Sequence, residues 1–206
     1  ACSNGTSSST FSSNSESDIK SIEPYSKSDS LKNNEIELKY ANVYKKISTD
    51  TSSDAMRGIG KIQNKKITAK EIELEALKLQ LSGDKKIYSN AWDELKIGIV
   101  ESELAEQYNI DFQKDAVELV KQNLKYFKES KDEATIKYTQ ELYKAFGMTE
   151  DEYWNEYALN LYLKQLCHER VTKYLKDNNL PEIEPSQIQG EITDKKYLEK
   201  IDSEEN

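Results

Sequence analysis

Glycine and proline are scarce, with seven and three among 206 residues. An all-β chain built on many tight turns needs more of both, so the scarcity favours helices. Histidine occurs once and cysteine twice, too few for a disulfide framework or for a Cys/His metal cluster. Cys2 and Cys167 therefore read as two unrelated thiols. No run of 18 or more apolar residues is present, so no segment is expected to cross a bilayer as a helix, and any membrane attachment is expected to be covalent. Cations are outnumbered: 29 Lys and Arg against 38 Asp and Glu leave a net charge of -9 and an isoelectric point near 4.9. A nucleic-acid surface needs clustered cations that displace counterions from phosphate, so no nucleic-acid partner is expected. Electrostatic docking to anionic lipid is disfavoured for the same reason.

Signatures of catalysis are missing too. There is no Gly-rich phosphate loop, no G-x-S-x-G elbow and no dinucleotide fingerprint, and GIGK at Gly58 to Lys61 is too short to count as one. Acidic stretches lack the Gly-punctuated spacing of a calcium loop. No enzyme activity, cofactor or metal is expected.

What is present falls into four parts. Residues 1–33 are of low complexity: twelve of the first thirty are Ser, a composition that suits a flexible, solvated tether. Residues 34–60 hold a short amphipathic stretch, IELKYANVYKKI, that places Ile36, Tyr40, Val43, Tyr44 and Ile47 on one helical side, followed by a loop. Residues 61–180 carry consistent helix signals. Residues 181–206 begin at Pro181 and read either as an acidic tail or as a short helix around Lys195 to Ile201.

In the third part, Thr68 with Glu71, Ser130 with Glu133 and Thr149 with Glu152 match S/T-x-x-E. In that pattern the hydroxyl takes the N3 amide and the carboxylate reaches back to the cap amide. Asn90 and Asp111 are candidate caps for two further helices, and Gly83 and Gly147 stand where helices end in a left-handed residue. These marks predict helices over 69–81, 91–109, 113–128, 132–146 and 150–178, each with apolar residues at helical spacing. The last is long and wide-faced enough to serve as a spine. The expected fold is all-α, a compact bundle of about five helices with one long C-terminal helix.

Cys167-His168 is the one place where a thiol meets an imidazole. Adjacent helical residues point about 100° apart, so the pair does not face each other as nucleophile and base must. A buried thiol beside a surface-leaning His is the expectation. Glu150, Asp151 and Glu152 lie in a first helical turn, where negative charge complements the dipole without a metal. Thirteen Tyr and two Trp mostly occupy helix-period positions and read as core. Amphipathic aromatics also line adaptable peptide-binding clefts. If such a cleft exists, Tyr88, Trp92, Tyr126, Trp154 and Tyr157 are its candidates.

Three stretches in succession carry a resemblance: KIQNKKITAKEIEL from Lys61, AWDELKIGIVESELAEQYNID from Ala91, and FGMTEDEYWNEY from Phe146. Over about 120 residues, Lys61 to Leu180 resembles the N-terminal domain of SurA- and PrsA-type extracytoplasmic chaperones, itself akin to the C-terminal chaperone domain of trigger factor. The resemblance implies a short strand-like lead into the first helix, and an α-helical domain that cradles unfolded or secreted polypeptide outside the cytoplasm. Family members with isomerase activity continue into a parvulin domain after the long helix. About 25 residues follow Pro181 here, so proline isomerisation is not expected. Ala1-Cys2-Ser3-Asn4-Gly5 resembles a bacterial lipoprotein after signal removal, which implies diacylglycerol on Cys2 and an extracytoplasmic, membrane-anchored protein. The alternative expectation is a structural or assembly lipoprotein dedicated to one envelope or secretion partner.

Overall fold

The computed structural model describes residues 30–81 and 83–205. Cys2 and the Ser-rich segment before Ser30 lie outside the described residues, and so does the tether reading that rests on them. Helix α1 (Ser30–Ser48) is followed by β1 (Gly58–Ile62), β2 (Lys65–Thr68), α2 (Ala69–Gln80), α3 (Ile87–Gln107), α4 (Gln113–Glu129) and α5 (Glu133–Phe146). Next comes a continuous helical stretch of α6 (Glu150–Glu152), a π-helical segment (Tyr153–Ala158) and α7 (Leu159–Asp177). A 3-10 turn (Pro185–Gln187), β3 (Gly190–Ile192) and α8 (Lys195–Glu205) complete the order.

Mostly helical is right, but the all-α expectation omits a small antiparallel sheet of order β2-β1-β3. The strand-like lead at Lys61 is one hairpin of it, turning at Gln63 in the left-handed region (φ 51°). Its third strand comes from the far end of the chain, with Gly60 opposite Ile192 and Ile62 opposite Gly190. Strands of three to five residues are too short to show a period of two, which is why pattern reading passes over them. GIGK, no phosphate loop, is the centre of this sheet. A Cβ on Gly60 would lie 2.3 Å from the Glu191 carbonyl oxygen and 2.9 Å from Ile192 Cα, so β3 closes on β1 only because residue 60 has no side chain.

Of the two readings left open for 181–206, the helix is the one found. Tyr197 of α8 is 1% exposed, packed with Ile59, Ile62, Ile67, Ile72 and Trp92. Those residues form one core, between the sheet, α2, α3 and α8. A second core, rich in aromatics, joins α1, α5, the π-helical segment and the end of α2 through Ile36, Tyr40, Leu77, Phe146, Tyr153 and Tyr157. Ala105, Cys167, Val171 and Leu175 make a third, smaller core between α3 and α7. The long helical stretch does serve as a spine. Its π turn meets α1 and α5 on one side, through Tyr157 against Tyr44 and Phe146, and α4 on the other, through Trp154 against Phe127.

The helix boundaries follow the chemical marks where the cap is local. Capping boxes form at Thr68 with Glu71 and at Thr149 with Glu152, each hydroxyl accepting the N3 amide at 3.2 Å. Three expected caps are not used. Asp132, not Ser130, caps α5 by accepting the Thr135 amide at 3.0 Å, because Ser130 is occupied as the end of α4. Phe112, not Asp111, precedes α4. Helix α3 starts at Ile87, upstream of Asn90, and its first-turn amides are capped from a distance. Glu204 of α8 accepts from Tyr88 N at 2.9 Å and Ser89 N at 3.0 Å, across 116 and 115 positions of sequence. Gly83 (φ 73°) and Gly147 (φ 68°) are left-handed as expected. Asn109 and Asn179 end α3 and α7 in the same way, with the following Ile110 and Leu180 amides bonded back to Ala105 and Leu175.

Candidate functional site

Four of the five aromatics singled out from sequence are core anchors, and they lie in two different cores. Tyr88 and Trp92, each 7% exposed, pack under α8. The Tyr88 hydroxyl donates to Glu73 Oε2 at 3.0 Å and the Lys200 ammonium sits 3.9 Å from its ring centroid. Trp154 and Tyr157 belong to the aromatic core, where Trp154 Nε1 donates to the Tyr143 hydroxyl at 2.7 Å. Burial pushes the Tyr40 and Tyr157 hydroxyls far up, so both stay neutral, and the Tyr157 hydroxyl donates to that of Tyr40 at 3.4 Å. Tyr126 alone is open, 70% exposed, with its ring edge-on to Phe127. These five side chains do not converge on one cleft.

A polar seam runs along α7 where it meets α2 and α3. Glu75 accepts from Lys78 Nζ at 2.6 Å and from Lys164 Nζ at 3.4 Å. Burial alone would raise Glu75, but the two ammoniums outweigh it and hold the carboxyl below its ordinary value. Burial pushes Lys78 down to about 8, against the opposing pull of Glu75. Farther along, His168 Nδ1 lies 2.6 Å from Glu101 Oε1. Burial raises Glu101, and the His168 contact counters part of that rise. Cys167 points into the third core, its thiol raised by burial and then by the Glu101 charge, which disfavours a reactive thiolate. The seam joins helices: its carboxylates and ammoniums are engaged with one another. Among the described residues no group of three or more His, Cys, Asp or Glu side chains is placed to hold a metal ion.

Among the described residues an open, largely apolar groove of about 280 Å³ lies above the third core. Val100 and Leu104 line it from successive turns of α3 and Tyr108 from just past its end, Leu175 from the end of α7, and Leu180, Ile183 and Ile188 from the segment returning to β3. Its floor is continuous with Ala105, Val171 and Leu175, against which Leu104, Leu180 and Ile183 pack. Tyr108 is held upright by stacking on Tyr174 at 4.6 Å. The rim is acidic: Glu182 and Glu184 are both exposed. Chain geometry explains the place. Helix α7 ends at the left-handed Asn179, and Pro181 keeps residues 181–184 out of helix before Pro185 opens the 3-10 turn that packs on α3.

Sequence reading missed this groove. The signal that could have marked it is LPEIEP, Leu180 to Pro185, where aliphatic and acidic residues alternate between two prolines. No protein-family model, curated protein or solved structure matches the chain. No helix among the described residues is long and apolar enough to cross a membrane.

Proposed function

We propose that the protein is a chaperone-like, lipid-anchored binding protein acting outside the cytoplasm. In this reading it holds an unfolded or extended polypeptide in the groove between α3 and the return segment, and performs no isomerisation or other catalysis. The observation that carries it is the groove itself: aliphatic side chains left partly open to water in a concave site, with a hydrophilic rim. The three SurA- and PrsA-like stretches and the Cys2 context support the family and the location. A cavity of about 150 Å³ accepts a benzene ring, so 280 Å³ suits about two side chains of that size. Engagement of short segments is therefore favoured over wrapping of whole clients.

The test is light scattering of several unrelated unfolded clients with the full chain present. Delayed aggregation, abolished by Ile183→Asp while circular dichroism shows an unchanged fold, is the expected result. Failure with every client removes the general chaperone. A dedicated assembly lipoprotein would then be recognised by stable capture of a single envelope partner.

A further inference from the structure

We infer that the groove selects extended segments in which one or two aliphatic side chains are flanked by lysine or arginine. The inference rests on the peptide-binding reading above and adds the chemistry of the bound segment. The floor is aliphatic, and no Lys, Arg or His is among the groove-lining residues. The charged members of the lining are Glu182 and Glu184, and neither is in an ion pair among the described residues. The position of these charges fits the geometry of an extended chain. Its alternate side chains point to opposite sides, so an aliphatic group can enter the floor while its neighbours reach the rim. A cation at such a neighbour meets Glu182 or Glu184 without leaving water, and so avoids the desolvation that a buried ion pair costs. An acidic neighbour meets like charge. The net charge of -9 acts in the same direction at longer range.

The experiment uses the full chain and three synthetic peptides that share one aliphatic centre flanked by Lys, Gln or Glu, with binding read by fluorescence anisotropy. At low ionic strength the Lys-flanked peptide is expected to bind roughly fivefold tighter than the Gln-flanked one, the order available from two exposed ion pairs. Added salt should narrow that gap. In the double variant Glu182→Gln, Glu184→Gln the ratio should fall towards one. Glu118→Gln on α4, which does not line the groove, should leave the ratio intact. Equal binding of the Lys- and Gln-flanked peptides overturns the inference, as does a Lys preference that survives the double variant. In both cases peptide binding itself stands. If none of the three peptides binds, the peptide-binding reading falls as well.

Discussion

Two glycines show that one substitution has opposite signs at different places. Gly60 is buried, and a Cβ there meets the backbone of β3 at 2.3 Å. Backbone cannot swing aside as a side chain can, so Gly60→Ala should cost about 1–3 kcal/mol as overpacking. Gly98 lies exposed in the interior of α3, with nothing within 4 Å of an added Cβ. Gly98→Ala should therefore stabilise by about 0.5–1 kcal/mol, the helix-propensity difference. Urea denaturation of the two variants checks both signs, and a gain at residue 60 would contradict the close β1–β3 approach.

Among the elements, α8 is tied down by polar contacts as much as by burial. Glu73 of α2 accepts from the Tyr197 hydroxyl at 2.9 Å and from Lys200 Nζ at 3.0 Å, while Glu204 covers the free amides of α3. Glu204 thus does the work of an N-cap residue, supplied through space. Glu204→Ala should cost about 0.5–2 kcal/mol, as the loss of a cap does. Amide hydrogen exchange should quicken at Tyr88 and Ser89 before it does at the middle of α3. Unchanged protection there would show that Lys86 and water suffice. The capping boxes at Thr68 and Thr149 were legible because donor and acceptor lie three residues apart. The start of α3 was not, because no local pattern points to a carboxylate 116 residues away.

For the whole molecule, the seam between α2 and α7 gives stability a particular pH dependence. Lys78, pushed down to about 8 by burial, gives up its proton in the folded state before it does in the unfolded chain. Between about pH 8 and its ordinary value of 10.5 the unfolded chain therefore holds more protons, and raising pH across that window favours folding. Lys164, which Glu75 holds above its ordinary value against the opposing effect of burial, acts in the reverse sense at higher pH. Unfolding free energies measured for the native protein and for Lys78→Met should show an alkaline rise that the variant lacks. Parallel curves would mean that Lys78 keeps its proton throughout.

The amino-acid sequence by itself determined which segments from α2 to α7 are helical, and their ends to within one or two residues except at the start of α3, since periodicity, capping boxes and left-handed glycines act within a few positions of chain. It also marked Tyr40, Trp92, Trp154 and Tyr157 as apolar faces without saying that these would be consumed by two cores. Tertiary structure decided the sheet, which brings residue 60 against residue 192, and the groove, which brings Leu104 to Ile183. Both depend on contacts between distant parts of the chain, and such contacts leave no periodic trace in the segments that make them.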